Sequence, residues 1–259
     1  MPIYDKIGKG YNTTRCADPY ITERIFQLLN PVPDGLYIDV GCGTGNYLSA
    51  LSQRGLQFYG IDPSALMLSE AKAKNNNAVF IQSKIEDLEL PDATFDGATA
   101  IFTIHHWDDK STGLRQTSRL LKPSAKLVML SFTPEQLLGY WLCHYFPKTM
   151  ENSCKVVPPL ADMKQLLLQN GFSFVTEELY FVQPDLQDHF LYSNKFRPER
   201  YLIPEIRNGV SSFTVYAEPG EVEQGLIKLE KDIDSGKITE VMKQYENKLG
   251  DYLFFVAEK

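Results

Sequence analysis

At 259 residues the chain is long enough for one large α/β domain with an insertion or a small cover, and too short for two equal domains. Its 43% hydrophobic and 12% aromatic content fills a sizeable core, while no apolar run approaches the ~18 residues of a membrane span. The formal charge of −7 repels a polyanion and no lysine or arginine cluster tracks phosphates, so a nucleic acid partner is not expected.

The chain starts Met1-Pro2-Ile3-Tyr4, without the basic and apolar regions of a secretory signal, and a cytoplasmic protein is the expectation. Cys16, Cys42, Cys143 and Cys154 are scattered without metal-ligand spacing and read as reduced thiols. Residues 18–30 form the first predicted helix, with Asp18 as cap, Pro19 in the first turn and Ile21, Ile25, Leu28 and Leu29 as its apolar stripe. The run Leu36 to Val40 reads as a buried strand, and Gly41, Gly43 and Gly45 then allow a tight turn against which a ligand can lie, ahead of a helix at 46–54. A second strand, Phe58 to Ile61, ends in Asp62, where a doubly wound sheet places the carboxylate that holds ribose hydroxyls. Further strands are predicted at 79–82, 97–103 and 126–131, with helices at 64–74, capped by Ser64, and 111–121, stopped by Pro123. This alternation implies a mostly parallel sheet with helices on both faces.

Beyond Phe132 the rhythm changes. Pro134 to Tyr145 reads as an aromatic helix, Leu160 to Asn170 as an amphipathic helix ended by Gly171, and Ser173 to Val182 as a strand. Residues 183–250 form a long insertion, helical at 199–208 and 220–248, before a last strand, Tyr252 to Ala257. The core is therefore expected at 1–182 plus 251–259, with 183–250 as a cover over the substrate mouth.

The glycine spacing separates cofactor classes. A dinucleotide fingerprint G-x-G-x-x-G needs glycine at position 46, which is Asn46; Asp39-Val40-Gly41-Cys42-Gly43-Thr44-Gly45 is instead acidic-x-G-x-G-x-G. With Asp62 after the second strand, the sequence resembles the class I S-adenosylmethionine-dependent methyltransferases, in the small-molecule, ubiquinone-biosynthesis-type branch, over roughly positions 35–131. The resemblance implies a Rossmann-like, seven-stranded sheet whose last two strands pair as an antiparallel edge hairpin.

It also implies S-adenosylmethionine as cofactor, with Asp39 and the turn Gly41, Gly43, Thr44 and Gly45 on its aminoacyl end. Asp62 would take the ribose hydroxyls, and Pro63, Ser64 and Met67 the adenosine edge, with ordinary core an equal reading for Met67. Ile85 and Glu86 stand where the family covers the adenine, although the commonest form of that motif has a small residue at Ile85. Phe102 and Thr103 end the fourth strand beside the cofactor. Upstream, Tyr11 and Arg15 are candidates to close over the aminoacyl end, Arg15 on the carboxylate.

The fourth strand leads into His105-His106-Trp107 and not into the Asn/Asp-Pro-Pro-aromatic tetrad of enzymes that methylate adenine amino groups. Either histidine can accept or position a hydroxyl proton, and the sequence does not separate them. An acceptor pocket is expected from Tyr140, Trp141, His144, Tyr145 and Arg197, with anchoring of the insertion as the plain alternative for each. No carboxylate cluster suggests a metal. The expected function is methyl transfer to a small-molecule acceptor, at oxygen first; the other reading is a non-catalytic module that binds the cofactor or a partner protein.

Overall fold

The computed structural model describes residues 13–259, so Tyr11 lies outside the described residues. The first helix, α1 (Pro19–Leu29), starts where expected: the Asp18 side chain accepts from the Ile21 N–H, Pro19 occupies the first turn, and Asn30 leaves the helix at φ 47°. Strands β1 (Leu36–Val40), β2 (Gln57–Asp62) and β3 (Val79–Gln82) alternate with helices α2 (Asn46–Ser52) and α3 (Ala65–Lys74). Ser64 caps α3 by accepting from the Met67 N–H. Strand β4 (Phe95–Ile101), helix α4 (Lys110–Leu120) and strand β5 (Leu121–Ser131) complete the parallel half. Strand β4 stops two residues earlier than expected because Phe102 turns into the left-handed region, at φ 51°.

The sheet has seven strands in the order β3-β2-β1-β4-β5-β7-β6, where β6 is Phe174–Tyr180 and β7 is Tyr252–Glu258. The first five are parallel, and β7 runs antiparallel between β5 and the edge strand β6. This is the doubly wound sheet with an antiparallel hairpin that the sequence implies. Strand order reverses at β1, which pairs β2 on one side and β4 on the other, so a crevice opens at the carboxyl ends of these strands.

After β5 the expected aromatic helix is not continuous. Helix α5 (Pro134–Leu138) opens with a capping box between Thr133 and Gln136 and gives way at Gly139. Tyr140 is extended, a 3-10 turn spans Trp141–His144, and Pro147 starts a new helix, α6 (Pro147–Cys154). Two adjacent rings can then anchor separate partners: the Tyr140 hydroxyl donates to the Asp251 carbonyl and Trp141 Nε1 to the Lys195 carbonyl at 3.0 Å.

Helix α7 (Leu160–Gln169) leads to β6, and the insertion follows. Expected helix 199–208 divides into a 3-10 turn, Pro198–Leu202, and helix α8 (Pro204–Asn208), because Pro204 holds Ile203 extended. A short helix, α9 (Ser211–Thr214), comes next. The expected helix 220–248 is likewise two, α10 (Glu221–Asp234) and α11 (Ile238–Gln244), parted at Gly236 with φ 76°. The insertion packs on the core through Tyr192, stacked on Tyr140 at 3.9 Å, Phe190, 4.8 Å from Tyr252, and a Lys195–Asp251 ion pair at 2.6 Å.

Candidate active site

At the carboxyl ends of β1, β2 and β4 lies a cavity of about 340 Å³. The turn after β1 is pinned to β2 by its backbone: the N–H groups of Gly41 and Cys42 both donate to the Ile61 carbonyl, at 2.8 and 2.9 Å. Gly41 holds φ 72°, and a Cβ there would stand 1.9 Å from Thr103 Oγ1, so only glycine lets the turn close on the loop after β4. Gly43 then donates to Asp62 Oδ2 at 3.0 Å, and the Ser64 N–H to Asp62 Oδ1 at 2.8 Å, which fixes the carboxylate at the strand end.

Asp39 is buried beside it, accepting from Thr99 Oγ1 at 2.7 Å across the β1–β4 pair. Burial pushes its carboxyl up to about 7; the Thr99 hydrogen bond opposes this and the charge of Asp62 adds to it. A cation bound against Asp39 would supply the missing compensation. The folded value lies above the ordinary 3.8, so between about pH 4 and 7 the folded state keeps a proton that the unfolded chain gives up. Stability of the ligand-free protein therefore falls as pH rises through that window. Asp39→Asn, which still accepts from Thr99, is expected to raise the melting temperature at pH 8 by roughly 5 °C, a gain that shrinks toward pH 4. A cationic ligand held by Asp39 should bind the wild type up to about tenfold more weakly for each pH unit below 7. Thermal melts and titrations across pH 5–8 check both.

The cavity gathers Arg15, Asp39, Gly41, Gly43, Thr44, Asp62, Pro63, Ser64, Met67, Ile85, Glu86, Phe102, Thr103 and His106 on its walls. Gly45 is not a wall residue; at φ 71° it turns the chain into α2. The sequence reading missed Asn46, Tyr47, Trp107 and Asp188, which also line it. Asp188 comes from the insertion, 1% exposed at its side chain. It pairs with Arg15 Nε at 2.5 Å and accepts from the Tyr47 hydroxyl at 3.0 Å.

The two histidines part company on the 3-10 turn Ile104–His106. His106 faces the first cavity, whereas His105 lines a second cavity of about 40 Å³ with Phe132, Phe190 and Tyr252. Their rings touch, centroids 3.9 Å apart. Burial, with the nearby Lys110 charge, holds the His106 imidazole down to about 4, and burial with the His106, Lys110 and Arg15 charges holds His105 well below its ordinary value. Both are neutral at pH 7, so each ring keeps a nitrogen that can accept a hydrogen bond.

Tyr140, Trp141, His144, Tyr145 and Arg197 line neither cavity. Tyr140, Trp141 and Tyr145 are core, at 1%, 2% and 3% exposure, and hold the insertion to the sheet; the Tyr145 hydroxyl reaches Asp232 at 3.2 Å. His144 sits against the Tyr145 ring, and Arg197 donates to the Leu186 carbonyl. The buried positions took the rings because they bury the largest area there. Trp141→Ala is accordingly expected to lower stability by about 3–5 kcal/mol while leaving ligand affinity at the first cavity unchanged, as denaturation and titration would show. Among the described residues no group of three His, Cys, Asp or Glu is placed to hold a metal, and no helix is long and apolar enough to cross a membrane.

The site's carboxylates and glycine turn fit a ligand that carries a cation and a diol. Comparison with known proteins agrees. Residues 38–129 match the family model of a methyltransferase domain. Over 94% of this chain and 98% of the other, the structure superposes with TM-score 0.84 and 32% identity on a protein of Anabaena variabilis named as a methyltransferase from an antibiotic biosynthesis pathway. An O-methyltransferase of Aspergillus sclerotiorum is 30% identical over 177 residues, 62% of this chain and 63% of that one. The demethylmenaquinone methyltransferase of Corynebacterium kroppenstedtii is 29% identical over 136 residues, 51% of this chain and 58% of that one. The chain thus spans about three fifths of the length of these two relatives.

Proposed function

Because the chain belongs to the class I S-adenosylmethionine-dependent methyltransferases, small-molecule branch, we propose that it transfers a methyl group from S-adenosylmethionine to the hydroxyl of a small-molecule acceptor. The observation that supports this most is the grouping of Asp39, Asp62 and the glycine turn on one cavity, with neutral His106 on its wall and the His105 ring against His106. When bound, S-adenosylmethionine supplies the methyl: the acceptor oxygen–carbon bond forms as the carbon–sulfur bond breaks, its electron pair staying on sulfur, and the hydroxyl proton is left for a protein base.

The remaining work falls to side chains of this protein. Asp39 receives the ammonium of the aminoacyl group, and Arg15 its carboxylate, with Asp188 and Tyr47 fixing the guanidinium. Asp62 accepts the ribose hydroxyls, its orientation set by the Gly43 and Ser64 N–H groups. Ile85 packs on the adenine and Glu86 accepts from its amino nitrogen, while Pro63, Ser64 and Met67 close the adenosine edge. A histidine takes the hydroxyl proton. Because the leaving group is a neutral sulfide, most of the acceleration comes from alignment, which buried walls and the Arg15–Asp188 clamp favour. Residues 183–250 cover the mouth and supply Asp188.

The test is incubation of the protein with methyl-labelled S-adenosylmethionine and a panel of phenols and other hydroxylated small molecules, followed by mass analysis. Label on an acceptor oxygen is expected. Label on ring carbon would move the reaction to carbon, and binding without transfer to any acceptor would leave a cofactor-binding module.

A further inference from the structure

The second cavity lies apart from Asp39, Asp62 and the glycine turn. It adjoins the first through Phe102 and Arg15, which wall both. Phe102 stands there in the left-handed region, φ 51°, an uncommon conformation for an aromatic residue, and its ring packs 4.6 Å from Phe190 and 5.2 Å from Tyr252. The walls are otherwise largely apolar and aromatic. Against them lies His105, 8% exposed, whose Nδ1 has no hydrogen-bond partner among the described residues. A buried polar atom left this way costs about 1–3 kcal/mol, a cost that a donor placed in the cavity would remove. Among the described residues the one charged side chain on these walls is Arg15, already matched by Asp188 at 2.5 Å.

We propose that this cavity is the acceptor site, that it takes a flat aromatic molecule without acidic groups, and that the acceptor's hydroxyl donates to His105 Nδ1. The inference rests on the methyltransferase reading above. His105 Nδ1 takes the proton released as oxygen gains the methyl, and His106 stays on the cofactor side. A carboxylate or phosphate on the acceptor would be desolvated beside Arg15, whose one charge is already shared between Asp188 and the cofactor's carboxylate, which excludes acidic substrates. The volume, about 40 Å³, is short of the roughly 150 Å³ that admits a benzene ring. The roof is the insertion segment 209–216, with helix α9, so entry of a ring requires that segment to shift outward, and its side chains would set the size accepted.

The experiment uses the protein saturated with S-adenosylhomocysteine and titrated with 4-methylphenol, 4-methylbenzoate and toluene. 4-Methylphenol should bind at least about tenfold more tightly than 4-methylbenzoate. His105→Phe should weaken 4-methylphenol by about tenfold and leave toluene unchanged. Ser211→Trp, at a half-buried roof position, should weaken both neutral probes, and neither variant should alter S-adenosylhomocysteine affinity. If 4-methylphenol binds equally well to wild type and both variants, or 4-methylbenzoate binds better, the proposal is overturned while the methyltransferase reading stands. If the wild type does not bind S-adenosylhomocysteine, both fall.

Discussion

Asp62→Ala is expected to abolish the thermal stabilisation that S-adenosylmethionine gives the wild type. A ligand at a hundred times its dissociation constant adds about 2.7 kcal/mol to the folded state. In a protein of this size that is roughly 5–10 °C. The Asp62 carboxylate is held at the end of β2 by two backbone donors, Gly43 and Ser64, and faces the cavity, so it is oriented before the ribose arrives. Removing it loses the hydroxyl acceptor and also frees the turn that Gly43 anchors. The variant should fold, with a ligand-free melting temperature a few degrees lower, because two N–H groups lose their partner. Asp62→Asn, which keeps an acceptor oxygen, should retain part of the ligand-induced shift. A full shift in Asp62→Ala would remove the ribose assignment.

Gly41→Val is expected to lose cofactor binding by at least about a hundredfold and to lower stability as well. Two costs combine. A side chain at φ 72° costs about 1–2 kcal/mol by itself, and the new Cβ would lie 1.9 Å from Thr103 Oγ1 and 2.7 Å from Thr103 Cβ. Something must move, and both neighbours are constrained: Gly41 donates to Ile61, and Thr103 Oγ1 accepts from Trp107 Nε1 at 3.4 Å. The displaced loop carries the cofactor cavity's wall on one side and the histidine turn on the other. Gly41→Ala with Thr103→Ala should recover stability only in part, since the Cβ–Cβ clash persists. Melting curves and titration of both variants read this out, and a Gly41→Val protein with unchanged affinity would mean that the turn does not shape the site.

The sheet and the grouping of Asp39, the glycine turn and Asp62 on one cavity were legible in the sequence because their signals are local. Leu36 to Val40 is an apolar run with glycines directly behind it, and Asp62 ends a strand whose position in the alternation fixes its place in the crevice. The second cavity and the Arg15–Asp188 pair were not legible, for two physical reasons. Rings serve cores and pockets equally well, so residue type could not say that Tyr140 and Trp141 hydrogen-bond inward to Asp251 and Lys195 while Phe132 and Tyr252 face a cavity. The partner of Arg15 is 173 residues away in the chain, and nothing around Asp188 announces the meeting. His105 and His106 are neighbours of one type; only the 3-10 turn, which swings successive side chains by a third of a revolution, sends them to different cavities. The insertion's breaks at Pro204 and Gly236 carried local signals that a reading by apolar spacing passed over.

We propose that the cavity at the ends of β1, β2 and β4 holds S-adenosylmethionine. Calorimetric titration of the wild-type protein at pH 8, where Asp39 is ionised, tests it most directly. One molecule should bind per chain with micromolar affinity, weakening as pH is lowered below 7. Absence of binding by folded protein across that range would contradict it.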